Sequence, residues 1–355
     1  KQGKPIRIVS MDTHFAPWGV VRRWCEEVGR DFGIHMVALS IAYENYFSNL
    51  SSIEASTISV EDMTARPDLR HPFLGGRFRF EQYIKSAGLD SFSKEIALSW
   101  IKVDRSRTST ADASARSVIL NRVLAEKKNG KKIFCAMGKV LIDFAAPDDR
   151  GNVYPDFVSW INRLIDLSSS TASLLLVKPH PHEVRAEIVQ SGVQRLRDLL
   201  PIELPPNVIF LDHATFNSSE IAEFIDVALV WNGTICAEFP VLGCPVVAES
   251  VWAERDYPLD SYVARSDVDY EDIFKGVTEV PLSDETISRA IAYLHFMRSV
   301  DVAIPFGYVK RAGTNEAIGP NVFYEDQLAE LEQNGDPNVV RAARRFFESK
   351  SSNER

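Results

Sequence analysis

A cation, two imidazoles and a carboxylate follow one apolar run in this chain. Lys178-Pro-His-Pro-His-Glu183 comes directly after Leu174-Leu-Leu-Val177. Two prolines remove backbone donors and fix φ, so the sequence predicts a rigid turn at the carboxyl end of a strand. Lys178 and His180 have the chemistry to hold phosphate oxygens there, and Glu183 lies in the same turn. A stiff turn with solvated polar residues is the alternative interpretation.

A second apolar run, Val227–Trp231, ends at Asn232-Gly233-Thr234. Gly233 allows a tight turn into a following helix. Free N–H groups at the start of that helix, together with its dipole, favour an anion. Glu238 comes one helical turn after Thr234, so its carboxylate would share that face and could accept hydrogen bonds from ribose hydroxyls. The alternative is an ordinary helix start with a solvated glutamate.

Taken together, the two segments would place phosphate and ribose ligands at the ends of neighbouring strands. This pattern predicts a nucleotide site without a glycine-rich fingerprint. The chain contains neither G-x-G-x-x-G nor the P-loop G-x-x-x-x-G-K-[ST]. Their absence argues against a dinucleotide-dependent dehydrogenase and against a P-loop NTPase.

The elements that must position these residues alternate between strand and helix patterns, which indicates parallel sheets covered on both faces. The predicted strands are Ile6–Met11, Ile34–Ser40, Lys132–Met137, Ser173–Lys178, Val208–Leu211, Val227–Trp231 and Pro245–Ala248. The main predicted helices are Val20–Arg30, Arg79–Ala87, Ala111–Lys128, Phe157–Leu167 and Val184–Leu200, with an Asn217–Glu220 capping box before a short one. Residues 41–75 have no clear assignment, and residues 304–336 are expected to be irregular between two C-terminal helices.

This rhythm predicts an α/β fold with two Rossmann-like, doubly wound domains facing a cleft, followed by C-terminal helices. The expected divisions are an acceptor-side domain over residues 1–128, a nucleotide-sugar-binding domain over 129–286, and a helical segment over 287–355 that packs back across the domains. Ligands in such sheets bind outside the carboxyl ends of the strands.

Composition narrows the class of protein further. The 355 residues include 40 Lys+Arg and 49 Asp+Glu, which gives a formal net charge of −9. An acidic balance argues against nucleic acid as the partner, because that binding needs a basic surface. Four scattered cysteines without a C-x-x-C pair predict buried thiols in a reduced, cytoplasmic protein. The sequence has no run of about 18 apolar residues, so no membrane-spanning helix is predicted.

The two chemical segments also carry a resemblance to a known family. Lys178-Pro-His-Pro-x-Glu183 followed by Asn232-Gly-Thr-Ile-x-x-Glu238-x-x-x-x-Gly243-x-Pro245-Val resembles the bacterial capsule polysaccharide synthesis proteins. That family includes the β-Kdo transferases that build the lipid linker of the capsule. More broadly, the pattern is similar to GT-B glycosyltransferases with CMP- or CDP-activated donors, in which a His-Pro motif meets the nucleotide phosphate.

The likeness covers about residues 130 to 300, and it includes Asp156-Phe-Val-Ser-Trp160 and Tyr270-Glu-Asp-Ile-Phe274. The chain has Gly233-Thr234 where many relatives have Ser-Thr. The resemblance implies a GT-B-like glycosyltransferase that moves a sugar, with Kdo as the first one to consider, from a CMP-linked donor onto a bacterial surface polysaccharide or its lipid linker. The departure leaves the sugar and the acceptor open.

In that interpretation the C-terminal domain binds the donor through Lys178, His180, Glu183, Asn232, Gly233, Thr234 and Glu238. Transfer needs a base for the acceptor hydroxyl, and a double displacement also needs a carboxylate nucleophile. The candidate catalytic residues are Asp148, Asp149, Asp12, His14 and Glu81. Their alternatives are a solvated acidic turn for the first pair, a helix-entry loop for the second and a solvated helix face for Glu81.

No metal and no cofactor besides the nucleotide-sugar donor are expected. Asp267-Val-Asp269 spells D-x-D, but it precedes a helix pattern and is interpreted as a cap. The other expected partner is an oligosaccharide or glycolipid acceptor. Arg341, Arg344 and Arg345 beside Phe346-Phe347 leave peripheral contact with the inner face of the cytoplasmic membrane open, although a packed terminal helix is the main interpretation.

Two rival functions stay open. A nucleotide-sugar 2-epimerase shares the two-domain architecture and would act on its nucleotide-sugar without an acceptor. A non-catalytic glycan-binding or export-associated module would bind glycan and keep its function after His180→Ala.

Overall fold

A computed structural model of the chain describes residues 5–10, 17–41, 57–66, 69–70, 74–102, 113–141, 149–171, 173–184, 189–190, 192–213, 215–305, 309–311, 321–323 and 325–347. The strands are β1 (Ile6–Ser10), β2 (Ile34–Ile41), β3 (Thr57–Asp62), β4 (Lys132–Met137), β5 (Ser173–Lys178), β6 (Val208–Phe210), β7 (Val227–Val230), β8 (Val246–Ala248), β9 (Ile304–Pro305), β10 (Val309–Arg311) and β11 (Asn321–Phe323). The helices are α1 (Trp18–Glu27), α2 (Arg77–Ala87), α3 (Lys94–Lys102), α4 (Ala113–Lys128), α5 (Phe157–Ser170), α6 (Ser218–Ala222), α7 (Ile235–Val241), α8 (Ala253–Asp256), α9 (Asp267–Lys275), α10 (Asp284–Arg298), α11 (Glu325–Asn334) and α12 (Pro337–Phe347).

The chain divides into two compact units. The first contains residues 1–87 and 294–355, and the second contains residues 88–293. The boundaries differ from the predicted 1–128, 129–286 and 287–355. Helix α4 belongs to the second unit because it packs against β4, and the C-terminal residues belong to the first because β9 pairs with β3 and α12 packs on the same strand.

The second unit is built on a five-stranded parallel sheet in the order β6-β5-β4-β7-β8. The chain moves outward from β4 to β5 and β6, then returns to the other side of β4 for β7 and β8. This is the strand order of a doubly wound nucleotide-binding sheet, with its topological switch point between β4 and β7. Ligands bind such sheets at the carboxyl edge, in the crevice at that point.

Apolar strands explain why this sheet forms. Every residue of β5 and β7 is buried, as parallel strands covered on both faces require. A large core cluster joins the sheet to α5 and α9. Its aromatic members are Phe134, Phe157, Trp160, Trp231, Tyr270 and Phe274.

The first unit has a mixed sheet in the order β1-β2-β3-β9, in which only β1 and β2 are parallel. The predicted α/β class is confirmed, and helices and sheets in two units are consistent with a GT-B-like fold. The first sheet nevertheless differs from the doubly wound sheet expected there. Strands β3 and β9 run antiparallel to their neighbours, so these pairings need no helical crossover.

Three stretches differ from their predicted structure. Of the predicted helix over Val184–Leu200, residues 189 and 190 are helical. The other described residues there include 3₁₀ turns at Pro181–Val184 and Leu196–Leu199, and the extended backbone of Arg195 prevents one continuous helix up to Leu200. Strand β3 lies in the unassigned 41–75 stretch. The stretch over 304–336, expected to be irregular, contains three short strands and α11.

All four cysteines are buried and unbridged, as predicted. Among the helices that the structure describes, none has the length and apolar character needed to cross a membrane.

Candidate functional site

The turn after β5 is held by its own neighbours. Lys178 is 4% exposed, and its Nζ donates to the backbone carbonyls of His213 at 2.7 Å and Asp212 at 3.3 Å. Burial lowers the pKa of the Lys178 ammonium to about 8. The Lys178 ammonium therefore already donates hydrogen bonds to the protein backbone, and its contact with a ligand stays a prediction.

The acid of the same turn is also internal. Glu183 is 2% exposed, and its carboxylate accepts hydrogen bonds from the Leu196 backbone N–H at 3.2 Å and pairs with His213 Nε2 at 3.1 Å. Glu183 therefore ties this turn to the segments that follow β5 and β6. Among the polar side chains of this motif that the structure describes, that of His180 is partly exposed.

A glycine that the sequence reading did not single out fixes the position of this turn. Gly138 follows β4, and its N–H donates to the Lys178 carbonyl at 2.7 Å. A Cβ at Gly138 would lie 2.8 Å from that oxygen and 2.9 Å from the His180 nitrogen. Only a glycine lets the two segments approach so closely, and the signal was a glycine directly after a buried strand.

The turn after β7 begins at the same level of the sheet. Met137 of β4 pairs in register with Lys178 on one side and with Val230 on the other. The two turns therefore start about 10 Å apart, two strand spacings, on either side of the end of β4. Sheet topology thus brings the two predicted nucleotide-binding segments to one edge.

Internal hydrogen bonds shape the β7 turn as well. Asn232 donates through Nδ2 to Asp256 Oδ2 at 2.9 Å and accepts from the Gly233 N–H at 2.9 Å. Thr234 Oγ1 donates to Glu238 Oε1 at 2.8 Å, and Glu238 is 1% exposed. Gly233 has a φ of +142°, and a Cβ built there meets no atom within 4 Å. Open space therefore borders the backbone of this turn.

Asp149 is the one predicted catalytic residue of the second unit that the structure describes. Its side chain is 0% exposed and pairs with the Lys139 ammonium. Its Oδ1 accepts from Trp231 Nε1 and from Ser250 Oγ, each at 3.0 Å. These partners follow β4, β7 and β8, so Asp149 connects three strand ends at the switch point.

A buried carboxylate places the segment that carries Asp149. Glu249 is 0% exposed and accepts from the backbone N–H groups of Val153 and Tyr154, and from Tyr270 Oη at 2.7 Å. Burial raises the pKa of this carboxyl above its ordinary value. Gly151 packs so closely that a Cβ would lie 2.2 Å from Glu249 Oε1.

The remaining predicted catalytic residues are not brought to this edge by what the structure describes. Asp12, His14 and Asp148 lie outside the described residues. Glu81 lies in α2 of the first unit and is partly buried. Arg79, two residues earlier, forms a bidentate ion pair with Glu61, which includes an Nη2–Oε2 contact of 3.0 Å.

The D-x-D segment, Asp267–Asp269, forms the first turn of α9. Ser266 is the N-cap and Asp269 completes a capping box with it, while Asp267 pairs with Arg163 Nη2 at 2.6 Å and with Tyr154 Oη. No group of three or more metal-ligating side chains occurs within the described ranges.

Sequence reasoning missed Gly138, Lys139, Trp231, Ser250, Glu249 and Asp256 as parts of this edge. Trp231 had a signal, because it ends an apolar strand directly before a turn. Asp256 had none, since its contact with Asn232 joins residues 24 positions apart, with α7 and β8 between them.

The fold and the site define an α/β protein whose second unit has the strand order and the edge of a nucleotide-binding sheet. No known family model matches the chain, and no curated protein matches its sequence.

Among solved structures, the chain is similar to the β-Kdo 2,7-transferase KpsC of Thermosulfurimonas dismutans, with 13% identity and a TM-score of 0.38 over 82% of this chain and 76% of that one. It is also similar to the glycotransferase of kitacinnamycin, with 10% identity and a TM-score of 0.27 over 48% of this chain and 40% of that one.

Proposed function

We propose that the chain is a glycosyltransferase that moves a sugar from a CMP-activated donor onto a bacterial surface polysaccharide or its lipid linker. One observation carries the proposal. The turns after β5 and β7 start at the same level, on either side of β4 and next to the switch point of a doubly wound sheet. A nucleotide is the ligand class that such an edge accepts.

In this proposal His180 contacts the donor phosphate, since it is the partly exposed group of its turn. The open space beside Gly233 admits the donor next to the backbone of the β7 turn. Lys178, Glu183, Asn232, Thr234 and Glu238 hold the walls of the site through the contacts described above. The donor sugar, with Kdo as the first to test, and the identification of the acceptor come from the sequence resemblance.

A nucleotide panel tests the proposal. Isothermal titration and thermal unfolding with CMP, CDP, UDP and GDP should show binding and a raised Tm with CMP, because a ligand that binds only the folded state stabilises it. We expect His180→Ala to weaken CMP binding about tenfold or more, a loss in the range of one charge-assisted hydrogen bond. His295→Ala is the matched control in another part of the chain.

Absence of binding to every nucleotide would contradict the proposal. Binding of UDP alone, with turnover of a UDP-sugar in the absence of acceptor, would replace it with the nucleotide-sugar 2-epimerase. Glycan binding without nucleotide binding would favour the non-catalytic module.

The proposal includes a cytoplasmic location with peripheral contact to an anionic membrane surface through α12. Arg341 and Arg344 are exposed on this helix, together with Val340 at 48% and Phe347 at 65% exposure. Such a mixed basic and apolar face suits an anionic interface. Sedimentation with anionic vesicles should fall in the R341E/R344E variant, and equal sedimentation of both proteins would remove this part of the proposal.

A further inference from the structure

The carboxylate at the switch point has its bonding capacity committed to structural partners. Asp149 Oδ1 accepts two hydrogen bonds, from Trp231 Nε1 and Ser250 Oγ, and Oδ2 pairs with the Lys139 ammonium. The Asp149 side chain is fully buried and that of Lys139 is 8% exposed. A proton taken up at Oδ1 would displace one of its two donors, and a proton taken up at Oδ2 would remove the negative charge that pairs with the Lys139 ammonium.

The three donors come from the segments after β4, β7 and β8, which lie far apart in the sequence. Trp231 directly precedes the 232–234 turn. Its ring packs in the core, with centroid distances of 5.8 Å to the Trp160 ring and 5.9 Å to the Phe157 ring. The Ser250 backbone N–H also donates to the Trp231 carbonyl at 2.8 Å. The indole N–H links this core side chain to Asp149.

We infer that Asp149 is a positioning residue of the donor site and does not act as the base or the nucleophile. By holding Trp231 and Ser250 against Lys139, it fixes the β7 turn relative to the end of β4 and so shapes the crevice of the switch point. This inference rests on the proposed function, because its consequence is tight binding of the donor nucleotide in that crevice.

Matched variants separate the two roles. Asp149→Asn keeps the shape and one acceptor oxygen but loses the charge that pairs with Lys139. Trp231→Phe removes the indole N–H, and Ser250→Ala removes the hydroxyl donor. Asp166→Asn, an exposed aspartate on α5, is the control.

Isothermal titration with CMP supplies the first readout. A positioning role predicts that D149N and W231F each weaken CMP binding about tenfold, that S250A weakens it less, and that D166N leaves it unchanged. The D149N/W231F double variant should bind no worse than about the weaker single variant, because both substitutions disrupt the same hydrogen-bond network around Asp149. Wild-type affinity in D149N or strict additivity in the double variant would overturn the inference.

Indole NMR shifts and steady-state kinetics supply readouts that a general loss of stability would not change. In ¹⁵N-tryptophan spectra, the Trp231 indole resonance, assigned by its absence in W231F, should shift in D149N without nucleotide and stay unshifted in D166N. With CMP-Kdo as the probe, D149N should keep the pH profile of kcat and lose chiefly in KM. Loss of the acidic limb of that profile, or a fall in kcat of a thousandfold or more at unchanged CMP affinity, would make Asp149 a catalytic residue.

Failure of the inference and failure of the proposed function give different results. A wild-type chain that binds none of the nucleotides overturns both. A wild-type chain that binds CMP alongside an equally tight D149N overturns the inference alone. If D149N does not fold, W231F and S250A carry the same test, because each removes one donor and leaves the carboxylate in place.

Discussion

The turns after β5 and β7 begin at the same level of one sheet, yet they differ in what they leave for a ligand. In the β5 turn, Lys178 and Glu183 are almost fully buried and bond to the segment after β6. In the β7 turn, side-chain contacts are also internal, but the backbone at Gly233 borders open space. A motif rich in chemical groups can therefore be a scaffold, while a plain Asn-Gly-Thr turn supplies room for the ligand.

The largest expected effect is a loss of stability on replacing Glu249, the buried carboxylate that places the segment carrying Asp149. Glu249→Ala leaves three donors without their buried acceptor, so the free energy of unfolding should fall by about 3–5 kcal/mol. Glu249→Gln keeps an acceptor oxygen and should cost about 1–2 kcal/mol. Urea denaturation measures both, with the exposed Glu254→Ala as control. An E249A variant as stable as the control would show that this carboxylate does not hold the 150–154 segment.

The next effect concerns the support of the β5 turn. Gly138→Ala places a Cβ within 3.0 Å of backbone atoms of Lys178, Pro179 and His180. Because backbone atoms cannot rotate away as a side chain can, we expect a loss of about 1–3 kcal/mol, the range of overpacking.

The same variant tests the link between that turn and the ligand. CMP affinity should fall in G138A, since His180 moves with the displaced turn. Unchanged stability together with unchanged affinity would refute the close approach of the two segments.

The last expected effect is a change in the pH dependence of stability. The pKa of Lys178 is about 8 in the folded protein against 10.5 ordinarily. The folded state therefore holds this proton less tightly than the unfolded chain, and the wild-type free energy of unfolding should rise between about pH 8 and 10.5 relative to Lys178→Met. Lys128→Met, an exposed control, should run parallel to the wild type. Parallel curves for K178M and wild type would contradict the burial of this ammonium.

Local patterns were enough to predict the elements that carry the site. Strands β4 and β5 match their predicted bounds, since both are buried apolar runs bounded by polar residues. The Asn217–Glu220 capping box is present as predicted. Strand β3 was missed because Thr57, Ser59 and Glu61 are polar residues that the fold buries, so its pattern resembled that of a polar loop.

The contacts within the site depend on distant residues. Asp149 was predicted as a candidate catalytic residue, with a solvated acidic turn as the alternative, and its partners lie 10, 82 and 101 positions away in the sequence. Lys178 and Glu183 looked like ligand-facing groups, and their partners come from the segments after β5 and β6. No local pattern records such pairings, which only the order of strands in the sheet determines.

In the proposed complex, a nucleotide occupies the crevice between the two turns. A crystal structure of the chain with CMP would reveal its position. We expect nucleotide density at the carboxyl edge of the second sheet, with a phosphate oxygen within hydrogen-bond distance of His180 and with the nucleotide beside Gly233. Density at the opposite edge, or at residues of the first unit alone, would contradict it.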